Sequence, residues 1–350
     1  SITATITDGT NTSTQAITVN VTDVNEAPVI TGGDTATANF VENATGTVID
    51  VAHSDVDAGD SITYSLSGSV DDDLFAIVGG TGVVTFISSP DFETKLGGTG
   101  NDSNDYVIEV TATDNGSGLL TDTQTITITV TDENDNTPDL TVATPYSVAE
   151  GIDAVGTVNA TDADAGTTIT YSLTGTDALD FGIDSSSGVI TFAATTDFEN
   201  AADADTNNEY LLNVVASDGL NSDTKAIVVN VTDTNDESPV LTVATPYSVA
   251  EGTTSVGTVT TADDDAGATF TYSLTGTDGG LFTITNVEGN GVIVFATAPD
   301  FESGRSNAYA VTVNVTDGTN TDAKAITIDV TNENDNSPVF TSSTTESINE

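Results

Sequence analysis

One seven-residue phrase occurs twice in this chain, letter for letter. Pro145-Tyr146-Ser147-Val148-Ala149-Glu150-Gly151 returns as Pro246–Gly252, 101 positions later. Each copy is followed by the same acidic words in the same order: Asp-x-Asp, Asp-Phe-Glu, Ser/Thr-Asp, and a linker Asp/Asn-x-Asn-Asp that ends in proline. A fixed period of this length means tandem copies of one module. Acidic words at fixed places within the period mean that each copy carries the same cation site.

The charge balance limits the partners. Asp and Glu number 55 against 4 Lys and Arg, a net charge of −51. Such a chain repels nucleic acid and anionic membrane surfaces. High acidity alone is compatible with disorder, but here strand-like runs lie between acids at set positions. An acidic surface suited to a saline habitat is compatible with a cation site. With no cysteine, no disulfide is available, and small all-β modules then need another staple, of which bound metal is the usual one. No run of about 18 apolar residues is present, and no signal peptide is visible. Residues 1–27 read as the C-terminal part of a preceding repeat and 339–350 as the start of a following one. The expectation is a window cut from a longer repeat protein, with full repeats at 28–138, 139–239 and 240–338.

Ile126–Val130, Ala226–Val231 and Ala325–Val330 alternate apolar residues with Thr, Asn or Asp. Tyr64–Leu66, Tyr171–Leu173 and Tyr272–Leu274 do the same, and Gly82–Phe86 matches Gly188–Phe192 and Gly291–Phe295. Period two with β-branched residues predicts half-buried strands, and turn residues every 8–12 positions predict a sandwich. The expected fold is all-β: tandem seven-stranded Greek-key, immunoglobulin-like sandwiches joined end to end by calcium-binding linkers. Tyr64, Phe75, Phe86 and Tyr106 are expected in the core. Pro28, Pro138, Pro239 and Pro338 mark the module boundaries.

Calcium takes six to eight oxygens from carboxylates, Asn side chains and carbonyls. Alternate loops of a sandwich gather at one end. Glu42, Asp91 and Glu93 of one module therefore converge with Asp162, Asp164 and Asp218 of the next on the linker Asp132-Glu133-Asn134-Asp135-Asn136, giving eight carboxylates counting Asp132 and Asp135. The next junction repeats the set with Glu150, Asp197 and Glu199, the linker Asp233-Thr234-Asn235-Asp236-Glu237, then Asp263, Asp265 and Asp317. A third has Glu251, Asp300 and Glu302 with Asn332, Asn334, Asp335 and Asn336; the first has Asp23, Asn25 and Glu26 with Asp55, Asp57 and Asp114.

Five words in this order resemble those of cadherin repeats: Glu42, Asp91-Phe-Glu93, Asp162-Ala-Asp164, Ala216-Ser-Asp218 and Asp132-Glu-Asn134-Asp135-Asn136-Thr-Pro138. The resemblance covers essentially the whole chain. It implies Ca²⁺ between successive repeats, two to three per junction, with Glu42, Asp91, Glu93 and Asp135 on the near ions. Asn134, Asp162, Asp164, Asp218 and the carbonyl of Asn136 would hold the far one. There are departures. The first linker is one residue shorter and has Glu26 for Asp; Asn332 stands where the other linkers have Asp; Glu237 replaces the last Asn. With no Trp, the tryptophan exchange of vertebrate members cannot operate. The Thr-rich, Lys-poor style resembles bacterial cadherin-like repeats of large surface proteins.

His53, the sole histidine, can form neither a zinc site nor a triad alone and is expected in a solvent-facing loop. Acid pairs at glycosidase spacing are expected by chance among so many. Asn-x-Ser/Thr at Asn20, Asn43, Asn159, Asn230 and Asn314 leaves glycosylation open. The functional expectation is a non-enzymatic, calcium-stiffened segment of an extracellular surface adhesin, stalk or filament. The alternative is a binding module in which one repeat face takes another copy of the chain, a cell-surface protein or a glycan. Lys95–Asp102, an insert in the first full repeat, reads as a plain loop.

Overall fold

The computed structural model describes residues 1–57 and 59–341; residues 342–350, most of the segment expected to start a following repeat, lie outside that range. The described residues form two compact units. One comprises Ser1–Asp139 with Ala160–Thr170 and Ala216–Asp223; the other comprises Leu140–Asn159, Tyr171–Val215 and the chain from Thr224 onward. The fold is all-β. Among the described residues the only helical segments are three 3-10 turns, Asp72–Leu74, Ala178–Asp180 and Gly279–Leu281. No helix among the described residues is long and apolar enough to cross a membrane.

In the first unit, Ile2–Thr7 and Thr12–Ile17 make an exposed antiparallel hairpin. The sandwich that follows has a four-stranded sheet in the order Thr35–Val41, Thr121–Thr131, Asp105–Thr113, Thr63–Leu66. Its facing sheet is Thr47–Asp50, Val83–Phe86, Phe75–Ile77. The first and last strands pair in parallel, Thr35 opposite Thr125, whereas the others are antiparallel. Nine segments stand where seven strands were expected, because two strands are broken. Val29–Ile30 pairs with His53–Ser54 before their continuations join different sheets.

The alternation read from sequence places the core. Tyr106, Ile108, Val110 and Ala112 face inward from one strand, and Ile126, Ile128 and Val130 from its neighbour. Thr occupies most of the intervening outward positions. Phe75 and Phe86 lie 4.2 Å apart, and Tyr106 meets Phe86 edge-on at 5.3 Å. Such pairs add about 0.5–1.5 kcal/mol each beyond area burial. Tyr64, Phe75 and Tyr106 are buried as expected; Phe86 is half-buried against the same cluster.

The second unit repeats these rules. Tyr146–Ala149 runs parallel to Ser222–Thr232, and Ala154–Thr157, Val189–Phe192 and Phe181–Ile183 form a three-stranded sheet. Farther on, Tyr247–Ala250, Thr321–Thr331, Ala308–Thr316 and Thr271–Thr275 form one sheet. Val240–Thr242, Ser255–Ala262, Asn290–Phe295 and Phe282–Val287 form the other.

A volume exchange separates the copies. A Cβ on Gly156 would lie 2.4 Å from the Tyr146 ring, and one on Gly257 2.5 Å from the Tyr247 ring. The first sandwich has Ala38 and Ile49 at the corresponding register positions, both against its core. A large side chain on one strand is matched by a small one on the other, as close packing demands.

His53 is exposed, as expected, but does not lie in a loop. It lies in a two-residue strand, and its Nδ1 hydrogen-bonds the buried Tyr64 hydroxyl at 2.7 Å. The corresponding hydroxyl of Tyr272 bonds Thr261 Oγ1 and the Gly289 carbonyl.

Candidate metal centres

At the linkers beginning at residues 132, 233 and 332, the cluster starts from a buried glutamate that gathers two loops. Glu42, 2 % exposed, accepts the Glu133 N–H at 2.8 Å and the Phe92 N–H at 2.6 Å. Glu150 accepts the N–H of Thr234 and of Phe198, and Glu251 that of Glu333 and of Phe301. The linker's start and the Asp-Phe-Glu loop are thereby tied to one side chain. Glu133 enters this contact through its backbone, and Thr234 through both its backbone N–H and its hydroxyl, which donates to Glu150 at 3.2 Å. The loop is held again from behind, where Asn104, Asn208 and Asn307 donate to the carbonyls of Phe92, Phe198 and Phe301.

In the first unit, Glu42, Glu93 and Asp132 bring one oxygen each within 4.8 Å of one another, as do Glu93, Asp135 and Asp164. Asp132 accepts the Ala165 N–H, Asp162 the Asp164 N–H, and Asp164 both nitrogens of Asn136. Asp91 accepts the Thr94 N–H. Asp218 Oδ1 accepts the N–H groups of Leu220 and Asn221, both at 2.6 Å. Asn43 donates to Asp135 at 2.5 Å.

A second cluster in this unit surrounds the first linker. Asp23, Glu26 and Asp57 lie within 4.8 Å of one another, and so do Asp55, Asp57 and Asp60. Asn25 donates to the buried Asp114 at 2.7 Å and Glu26 N–H to Asp57. A Cβ on Gly116 would stand 1.6 Å from Asn25 Oδ1, so glycine there is what lets the linker approach. Asp60 was missed in the sequence because it falls outside the Asp-x-Asp word; Thr167 and Ala268 hold its place in the other copies.

In the second unit, Glu150, Asp197 and Glu199 converge within 4.8 Å. Asp233 accepts the Ala266 N–H, Asp263 the Asp265 N–H, Asp265 that of Glu237, Asp317 those of Thr319 and Asn320, and Asp197 that of Asn200. Burial, with repulsion from Glu150, Asp233 and Asp265, pushes Glu199 up to about 7. Burial also raises Glu93, Asp236, Glu237 and Asp263. At the last linker the exposed Asn332 and Asn336 both donate to Glu302, Asn336 also donates to Asp335, and Asp300 accepts the Glu302 N–H. Asn334 is exposed.

These residues pass a test of fit to a hard cation. Among the described residues, eleven carboxylate oxygens are buried without any hydrogen-bond partner. They belong to Asp55, Asp60, Glu93, Asp132, Asp162, Glu199, Asp218, Asp233, Asp263, Asp265 and Asp317. All lie in the clusters above. A buried carboxylate oxygen with no donor is costly, and several facing one another are what a calcium ion ligates.

Comparison with known proteins identifies the family and the fold. The cadherin domain model matches residues 36–131 and 144–232, together more than half the chain. Mouse cadherin EGF LAG seven-pass G-type receptor 2 is 34% identical over 275 residues, covering 73% of this chain and 9% of its own length. Human protocadherin Fat 4 is 32% identical over 321 residues, covering 84% of this chain and 6% of its own length. The chain thus spans less than a tenth of these relatives. Mouse cadherin-23 EC22-24 superposes with a TM-score of 0.65 at 25% identity, over 89% of this chain and all of that one. A protocadherin gammaB7 EC3-6 cis-dimer structure gives 0.62 at 25%, over 88% of this chain and 74% of that one. Cadherin domains bind Ca²⁺ at the junctions between repeats. On its sequence match, its sandwiches and its linker carboxylates, this chain belongs to the cadherin family.

Proposed function

We propose that this segment is a calcium-stiffened spacer of an extracellular surface protein, an adhesin, stalk or filament, built of repeats at 28–138, 139–239 and 240–338. The observation that carries this reading is the set of orphaned buried carboxylate oxygens confined to the linker clusters. Glu42, Asp91, Glu93, Asp132, Asp135, Asn134, Asp162, Asp164 and Asp218 would hold two to three Ca²⁺, and Glu150, Asp197, Glu199, Asp233, Asn235, Asp236, Asp263, Asp265 and Asp317 another set. Calcium supplies positive charge and six to eight coordination bonds that fix linker to loops. The protein's part is to gather the loops and hold the oxygens ready. The Thr-rich, Lys-poor style supports a bacterial source.

The test is small-angle scattering with a thermal melt on the chain, in calcium and then in EGTA. Calcium should stiffen and extend the particle and raise the melting point by about 10 °C or more. An unchanged profile and melt overturn the reading.

A second reading, a face that binds another copy of the chain, draws support from the related protocadherin gammaB7 cis-dimer. Concentration-dependent association of the calcium-loaded chain in ultracentrifugation would favour it over a pure spacer.

A further inference from the structure

The acid-binding turn Asp-Gly-x-Asn occurs three times: Asp8–Asn11, Asp218–Asn221 and Asp317–Asn320. In each, the aspartate Oδ1 accepts the N–H groups of the third and fourth residues. That use of Oδ1 leaves Oδ2 of Asp218 and of Asp317 buried and unpartnered. It also aims the asparagine amide at the linker. Asn221 Nδ2 donates to the Asn136 carbonyl at 2.9 Å and reaches Asn134 Oδ1 at 3.4 Å. Asn320 Nδ2 donates to the Glu237 carbonyl at 2.6 Å and to the Asp236 carbonyl at 3.1 Å. The linker's fifth carbonyl is therefore pinned in both units by the same residue of the same turn.

We propose that Asn221 and Asn320 are positioning residues that hold this carbonyl in its ion-binding orientation before calcium arrives, and so tighten calcium binding at their own linkers. The inference rests on the calcium reading above. A carbonyl oxygen has two lone pairs, so one can accept the amide while the other faces a cation. The weaker approach to Asn134 Oδ1 leaves that oxygen available, and the amide makes no demand on Asp218 Oδ2. An amide N–H against a lone oxygen is the nearest neutral substitute for a cation, and outer contacts of this kind typically change metal affinity tenfold or more. The first linker uses a different device. Its loop, Asp114 to Leu120, is longer and carries no such asparagine, and there the linker's Asn25 donates to Asp114.

Calcium titration of the full 350-residue chain, followed at the backbone amides of residues 134–137 and 235–238 by NMR, tests the proposal. Asn221→Ala should raise half-saturation about tenfold at 134–137 and leave 235–238 unchanged. Asn320→Ala should do the reverse. Asn11→Ala is the control: Asn11 bonds only within its own turn and should alter neither. A merely structural amide would lower the melting point in EGTA while half-saturation stayed at the wild-type value, and that result overturns the proposal. So does tighter binding in Asn221→Ala, which would make the amide a competitor. If Asn221→Ala fails to fold, Asn320→Ala carries the same test in the second unit. A wild-type chain without any calcium response overturns both this inference and the reading beneath it.

Discussion

The linker at 132–136 and the linker at 332–336 carry nearly the same letters and do different things with them. At the former, Glu93 and Asp132 each keep a buried oxygen without a partner. At the latter, Asn332 stands in the place of Asp132, and with Asn336 it donates two amides to Glu302. A carboxylate fed by neutral donors has less need of a cation; one facing other carboxylates has no other remedy. Whether an acidic cluster demands metal thus depends less on how many acids it has than on which amides were supplied with them. The buried glutamate beneath is the same in both, since Glu42 and Glu251 each take two backbone N–H groups.

That shared glutamate gives the largest expected effect. Glu42→Ala leaves two N–H groups unpaired and unties the linker from the Asp-Phe-Glu loop. It should cost about 3 kcal/mol, read by urea denaturation in calcium. Glu251→Ala should cost a similar amount, and a much smaller loss there would break the equivalence. Next comes the exchange of the differing residue. Asp132→Asn should weaken calcium binding at its linker about tenfold, and Asn332→Asp should strengthen it by a comparable factor, both by calorimetric titration. If neither moves, the amides are not what separates the two linkers.

The smallest effect is in pH. Glu199 is raised to about 7 by burial, then by its acidic neighbours. Its folded form therefore binds protons more readily than its unfolded form, and ion-free stability should rise as pH falls from about 7 toward 4.5. Glu251 has the opposite sign: the N–H groups of Glu333 and Phe301 lower it. Its contribution is present above 4.5 and is lost on further acidification. Melting in EGTA should therefore peak in the mildly acidic range. In calcium the first trend should reverse, because protons displace the ion. A melting point that falls steadily from pH 8 in EGTA would contradict the buried-acid account.

The strands were legible because apolar and polar residues alternate along Ile126–Val130 and its counterparts, and the acidic words were legible because they recur. What stayed hidden arises from meetings between distant positions. Asn104, Asn208 and Asn307 hold the Asp-Phe-Glu loops, and Asn221 and Asn320 reach linkers more than 80 residues away. In so polar a chain a single asparagine carries no signal, although its return at the same step of the period does. Asp60 was hidden because only a folded loop shows that it faces Asp55 and Asp57. The His53–Tyr64 bond joins two short strands whose pairing no local pattern announces.

The exchange of Tyr146 and Gly156 for Ala38 and Ile49 bears on how such a chain avoids misassembly. Tandem modules with closely similar sequences are prone to trade strands with their neighbours, and here the first strand of each sandwich lies parallel to the last. Ala38 set over Gly156 would leave a void, and Tyr146 set over Ile49 would collide. The first sandwich is therefore fenced off from the second by volume alone. The strands beginning at Tyr146 and Tyr247 share both the same letters and the same glycine partner, so nothing in this contact distinguishes them. Errors of refolding should accordingly concentrate between those two copies.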